Sequence, residues 1–222
     1  MGRLARWPGV VLVMLASCKR EAPPSPSPMP LASALVGLEA PGVLEARIET
    51  TEGAVRCILD EAGTPRSVGM FVGLARGRAA FRDPATNAIV TRPYYDGLPV
   101  FRGIEDLMFQ SGCPVGDGTG TPGYRIELEP HPDDAARLAT PGALLLASYH
   151  PPPNREDPSP PPPGQVIGSQ FVVAIGGLGH LAGKVTVIGA CQDLATVATI
   201  ARVAAKRERP VTVTRIMIER RP

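Results

Sequence analysis

The stretch that decides the fold is VFRGIEDLMFQSG, Val100 to Gly112. It sets Arg102 beside an apolar run that ends Leu107, Met108, Phe109, Gln110. In a strand, Met108 and Gln110 leave the same face, because side chains alternate along extended backbone. That face is both greasy and able to hydrogen-bond, which a plain core strand is not. GSQFVV, Gly168 to Val173, repeats the device, with Gln170 and Val172 on one face and Phe171 and Val173 on the other. Either glutamine alone reads as a solvated residue on a half-exposed strand. Together with Arg102 they read as a polar set laid on an apolar floor.

The period of two continues outward from these segments. Leu44, Ala46 and Ile48 alternate with Glu45, Arg47 and Glu49, Thr-Thr-Glu-Gly turns the chain, and Val55, Cys57 and Leu59 return as a hairpin. Thr64-Pro65 supplies a helix N-cap with proline at the first helical position. Val68, Phe71, Val72 and Ala75 follow at helical spacing, and Gly77 is placed to stop the helix. The turn-rich stretch from Ala79 to Leu98 reads as a loop with a minor hairpin. Short strands are expected at 99–104, 107–111, 124–128, 143–148, 170–174 and 184–191. A second helix runs from Asp193 to about Lys206, with Leu194, Val197, Ile200 and Ala204 on one face, and VTVTRIMIE closes the chain as a strand. Many short strands with two separated helices predict a mainly β fold, a closed eight-stranded antiparallel barrel capped by two α-helices. The domain spans 44–222. HPPPNREDPSPPPPG, His150 to Gly164, cannot lie inside a strand or helix, because proline removes donors and fixes φ; it is expected as an exposed, stiff loop insert.

The start reads as targeting rather than structure. Arg3 and Arg6 form a basic region, and VVLVML, Val10 to Leu15, is an apolar run too short to span a bilayer. It ends Leu-Ala-Ser-Cys, the bacterial lipobox pattern, which makes residues 1–17 a signal peptide and Cys18 the lipidated first residue. Several acyl chains on one cysteine hold a protein firmly on a membrane. The Pro/Ser run after Cys18 reads as an extended tether, within 18–43, that holds the domain roughly 35–40 Å off the bilayer at ~3.1 Å per residue. The expected location is therefore the cell envelope, with the domain in the periplasm or at the cell surface.

Composition narrows the function classes. An apolar fraction of 44% and a charged fraction of 20% suit a globular core, and half of the 26 prolines cluster in the Pro/Ser run after Cys18 and in the insert. Removing residues 1–17 takes away Arg3 and Arg6 and no acid, so 23 basic residues become 21 against 21 acidic ones. No basic block survives, so nucleic acid is not an expected partner. Cys57, Cys113 and Cys191 form no Cys-x-x-Cys pair, and three histidines give no zinc cluster, so no metal or cofactor is expected. Cys57 and Cys191 either form a disulfide outside the cytoplasm or stay as buried free thiols. The pairs Asp133-Asp134 and Glu127/Glu129 read as solvated faces. A hydrolase is excluded by the absence of a nucleophile–base pair.

VFRGIEDLMFQSG resembles the Phe-His-Arg-Val-Ile-x-x-Phe-Met-x-Gln-Gly-Gly signature of cyclophilins, the peptidyl-prolyl cis/trans isomerases. GALLLAS, GSQFVV and LAGKVTVIGAC resemble three further cyclophilin strands in the same order, and TPRSVGMFVGLARG looks like the first helix. The resemblance covers about Leu44 to Pro222. It implies that Arg102 is the catalytic arginine and Gln110 the glutamine that orients it and contacts substrate backbone. It further implies a substrate groove of Leu107, Met108, Ala147, Ser148, Gln170, Val172, His180 and Leu181. The implied partners are proline-containing polypeptides, bound by a monomer.

The departures from the signature define a trimmed pocket. Leu107 and Val172 stand where the family has phenylalanines, Val185 replaces a histidine, and Ser148 replaces an asparagine. Phe101 displaces the histidine before Arg102. His180 takes a position often held by tryptophan and reads as a groove-rim residue. Losing two aromatic walls, at ~25 cal/mol per Å² of apolar contact, implies weaker substrate binding and a less efficient isomerase. The alternative reading is a non-catalytic lipoprotein that binds or scaffolds proline segments on the same barrel, with the Pro-rich insert as a self-bound competitor.

Overall fold

The computed structural model describes residues 26–148 and 166–222. The signal segment 1–17, the lipidation site Cys18 and the Pro-rich insert 150–164 lie outside the described residues. In chain order the elements are α1 (Leu31–Ala34), β1 (Val43–Thr50), β2 (Gly53–Leu59), α2 (Pro65–Ala75), β3 (Phe81–Arg82) and β4 (Ile89–Val90). Then come β5 (Arg102–Ile104), β6 (Met108–Ser111), β7 (Ile126–Glu127), α3 (Asp134–Ala139), β8 (Ala143–Ser148) and β9 (Val166–Ala174). A 3-10 turn (Gly179–Leu181), β10 (Thr186–Cys191), α4 (Leu194–Lys206) and β11 (Val213–Arg221) complete the chain.

The main sheet is antiparallel throughout and runs β11-β1-β2-β10-β8-β9-β6-β5, with β7 added beside β9. It curls until its two ends meet. No ladder joins β5 to β11 among the described residues. The ends are stitched instead by a bridge between Pro99 and Thr212, flanked by backbone bonds from Val100 N to Val211 O (2.9 Å) and Val213 N to Leu98 O (2.9 Å). The closed ladder expected from the sequence is thus replaced by a short stitch. Pro99 sits between the two flanking bonds, in the non-hydrogen-bonded position of the pair, where its missing N–H costs the stitch nothing.

Inside the curl lies an aromatic core. Phe71, Tyr95, Phe109 and Phe171 are fully buried and meet edge-on or tilted, with ring centroids 5.2 Å apart for Phe71–Tyr95 and 5.6 Å for Tyr95–Phe171. Helix α2 packs on β9, β10 and β11, and α4 on β2, β5 and β6. The stretch from Ala79 to Leu98, expected as a loop with a minor hairpin, carries that hairpin as β3 and β4 and also buries Ala79, Phe81, Tyr94 and Tyr95 in the core. Its polar composition masks them.

Helix α2 departs from the expected amphipathic pattern because every residue from Ser67 to Ala75 is buried. Its second face is covered by the chain before β1. A Cβ on Gly69 would stand 2.7 Å from Leu31 N, and one on Gly73 would stand 3.3 Å from the Met29 side chain. Ala34 is fully buried there, and Met29, Leu31 and Leu35 pack against the core. The chain from Pro26 on is therefore part of the packed domain, which moves its edge well before Leu44 and shortens the expected tether.

The N-terminus of α2 also differs from expectation. The Thr64 hydroxyl does not cap it; it donates to Asp60 O (3.1 Å) and Val187 O (3.4 Å). The cap is Glu129, which accepts from Arg66 N (3.0 Å), Ser67 N (2.6 Å) and the Ser67 hydroxyl (2.5 Å). A carboxylate on the first free N–H groups satisfies two orphan donors and meets the positive end of the helix dipole. Glu129 is thus a cap, not a solvated residue. Glu129→Ala is expected to cost about 1–2 kcal/mol, read from the midpoint of urea unfolding. Of the other three acids expected to be solvated, Glu127 and Asp133 are exposed, but Asp134 is buried at the start of α3, where it accepts from His131 N (2.8 Å) and pairs with Arg137.

Cys57 and Cys191 face each other across the β2–β10 ladder and form a disulfide, which decides between the two sequence alternatives. Among the described residues Cys113 is the free thiol, and it is buried.

Candidate functional site

Strand parity builds the site. In β6, Phe109 points into the aromatic core, so Met108 and Gln110 take the opposite face. The β5–β6 ladder places Arg102 opposite Gln110 and Ile104 opposite Met108. The β6–β9 ladder places Gln110 opposite Val172, and β8–β9 places Leu145 opposite Val172. A second apolar cluster results on this face, with Met108, Leu145, Val172, Leu178 and Val185 buried in it. Leu107, Ala147 and Leu181 pack at its edge.

Above this cluster opens a groove of about 940 Å³. All ten site residues expected from the sequence line it: Arg102, Leu107, Met108, Gln110, Ala147, Ser148, Gln170, Val172, His180 and Leu181. It also takes in Ile104, Leu145, Leu178, Lys184, Asp117 and Gly118, which the sequence reading did not propose. Ile104 and Leu145 lie two residues from Arg102 and Ala147, so the period of two could have found them. Leu178, Lys184 and the Asp117–Gly118 turn reach the groove by loop geometry, which leaves no periodic signal.

Arg102 stands exposed at the mouth, and among the described residues its guanidinium makes no ion pair or side-chain hydrogen bond. Its strand is held in place from behind. A Cβ on Gly103 would stand 2.4 Å from Ala201 O and 2.7 Å from Ala205 N of α4, so only glycine lets β5 lie this close to the helix. Gln110 and Gln170 are nearly buried, and Gln110 Nε2 donates to Gln170 Oε1 at 3.0 Å. Beneath them Tyr95 OH donates to Ser169 O (3.1 Å), the Ser169 hydroxyl donates to Gly112 O (2.8 Å), and Tyr94 OH donates to that hydroxyl (2.8 Å). Burial pushes both tyrosine phenols above their ordinary range, so they remain protonated donors. The Ser148 hydroxyl donates to Lys184 O and so ties the β8 wall to the loop before β10. His180 is exposed on the 3-10 turn at the rim.

The arrangement offers a charged donor at the mouth, two ordered amides and an apolar floor. Residues 45–220 match the family described as cyclophilin type peptidyl-prolyl cis-trans isomerase/CLD. The chain belongs to the cyclophilin-type peptidyl-prolyl isomerases. It is 31% identical over 148 residues to a probable peptidyl-prolyl cis-trans isomerase A of Mycobacterium leprae, covering 67% of this chain and 73% of the relative. Peptidyl-prolyl cis-trans isomerase B of Streptomyces anulatus is 30% identical over 169 residues, 76% of this chain and 88% of the relative. Among solved structures, a cyclophilin type isomerase of Cryptosporidium parvum superposes with a TM-score of 0.61 at 22% identity, over 81% of this chain and 99% of that one. That protein has also been crystallised in the presence of the dipeptide Ala-Pro. The cyclophilin fold is the curled antiparallel sheet described above, and the groove lies on its outer face.

Proposed function

We propose that this cyclophilin assists the folding of exported polypeptides from a membrane anchor at Cys18, and that its trimmed pocket makes it a modest catalyst. The observation that carries the catalytic part is the pairing of Arg102 with Gln110 across one ladder, above the floor of Met108 and Val172. Rotation about an X–Pro bond breaks amide resonance, a barrier of ~18–20 kcal/mol, and needs no nucleophile or metal. On this reading the proline ring rests on Leu107, Met108 and Val172, while Ala147, Ser148, Gln170, His180 and Leu181 hold the flanking chain. The Arg102 guanidinium donates to the twisted amide, and Gln110 orients it. A permanently charged, many-donor group suits a transition state in which the amide nitrogen regains its lone pair. The stitch at Pro99 and Thr212 then serves as the seam that closes the sheet into a barrel.

The Cys57–Cys191 disulfide supports export, since such bonds persist in oxidising compartments. Ser17 followed by Cys18 after an apolar run supports lipidation. Radiolabelled palmitate should enter the parent protein in a bacterial host and not the Cys18→Ser variant. Labelling of both to the same extent would refute the anchor.

The pocket claim has its own test. Leu107→Phe with Val172→Phe should return aromatic area to the floor and raise kcat/KM on a prolyl test peptide by about tenfold, through KM. A double variant that folds and shows the parental KM would show that the missing rings do not limit this enzyme.

A further inference from the structure

The groove mechanism needs Gln110 to present its amide in one orientation, yet a carboxamide can flip at little cost unless its neighbours forbid it. The neighbours here form a chain that starts at Cys113. Its side chain is fully buried behind the loop from Pro114 to Gly120. The sulfur accepts from Gly118 N and Gly120 N, both at 3.2 Å, and its S–H points to Asp117 Oδ1 at 3.8 Å. Asp117 Oδ1 also accepts from Thr119 N (2.8 Å) and the Thr119 hydroxyl (2.6 Å), so the loop is wound around one thiol.

Winding the loop this way aims two carbonyls at the groove. Gly118 O and Gly120 O accept from Gln170 Nε2 at 2.7 and 3.1 Å. Carbonyls can only accept, so Gln170 must turn its NH2 toward them and spend both hydrogens there. Its Oε1 must then face Gln110 and can only accept from Gln110 Nε2, at 3.0 Å. The Gln110 amide is therefore held with its own oxygen turned elsewhere, available as an acceptor on the groove face that it shares with Arg102.

We propose that Cys113 is a positioning residue for isomerisation: through the Gly118 and Gly120 carbonyls it sets the amide polarity of Gln170 and hence of Gln110. The sulfur touches no substrate. This rests on the roles given above to Arg102 and Gln110, and it assigns a use to the thiol left outside the disulfide. Sulfur is a weak acceptor, but the buried Gly120 N–H and the half-buried Gly118 N–H both turn to it, and losing it would cost each that partner.

Cys113→Val keeps the side chain's size and removes its acceptor and donor, whereas Cys113→Ser keeps both. The valine variant is expected to lower kcat on a prolyl test peptide about five- to twentyfold, with KM changed less than about twofold. The serine variant should stay within about twofold of the parent. In side-chain amide NMR spectra the Gln170 and Gln110 NH2 pairs should each be single and sharp in the parent and should broaden in the valine variant. A folded Cys113→Val protein with parental kcat and unchanged glutamine signals would overturn the proposal. If that variant does not fold, the parent decides alone: slow hydrogen exchange at the Gly118 and Gly120 amides supports the relay, and fast exchange refutes it. A parent without isomerase activity would instead refute the roles of Arg102 and Gln110, while the NMR and exchange readouts would still judge the relay.

Discussion

Arg102→Ala should lower kcat/KM for a prolyl test peptide by about 10²- to 10³-fold while leaving the fold intact. The first half follows from the chemistry of the step. Removing a preorganised donor from a developing transition-state charge typically costs a factor of that size, and no other cation in the groove sits on the Gln110 ladder. The second half follows from the surroundings of the side chain. The guanidinium is exposed and holds no partner among the described residues, so its loss should move the unfolding free energy by less than about 0.5 kcal/mol. Arg102→Lys should recover part of the rate, because one ammonium replaces a rigid fork of donors. Equal isomerisation rates in the parent and the alanine variant would refute the role of Arg102. A peptide that binds parent and variant equally, with no turnover by either, would favour the proline-binding reading instead.

The second large effect is on stability. Replacing both Cys57 and Cys191 by alanine should lower the unfolding free energy by about 3–5 kcal/mol and the melting temperature by about 10 °C or more. The bond joins residues 134 apart in sequence, so breaking it frees the ends of a very long loop in the unfolded chain. It also ties β2 to β10 at the point where their ladder is short, only three residue pairs. Both sulfurs are buried, so a reductant should act on the native protein slowly and on the urea-unfolded protein at once. A double variant within about 1 kcal/mol of the parent would show that the ladder alone holds that seam. Intact mass under denaturing, non-reducing conditions checks the bond itself.

How much of this could be read from the sequence varies with distance along the chain. The β1–β2 hairpin, α2, α4 and the parity of Met108 and Gln110 were legible because period-two and helical patterns act over a few residues. Much of the groove was legible because Arg102, Met108, Gln110, Ala147, Gln170 and Val172 lie on strands whose order matched a known family. Glu129 was not, because its role as the α2 cap depends on a contact 62 residues away from Ser67. Tyr94 and Tyr95 were hidden by the polar residues around them, and Leu194, which by spacing shares one face of α4 with Val197 and Ile200, is exposed. The stitch between Pro99 and Thr212 was not legible, because a single bridge between segments far apart in sequence leaves no periodic signal. The covering of α2 by the chain before β1 had a signal that went unread: Gly69 and Gly73, one helical turn apart on a helix otherwise rich in large side chains.

That covering changes how an anchor at Cys18 would work. From Cys18 to Pro26 the chain has eight peptide steps, which reach roughly 29 Å when fully stretched. Such a leash would be a rein rather than a spacer. Held so short, the domain would patrol a thin shell of solvent just above the lipid headgroups. Polypeptides emerging through the same bilayer would meet the groove before they diffuse away, and a modest catalyst kept at high local concentration can still serve them well.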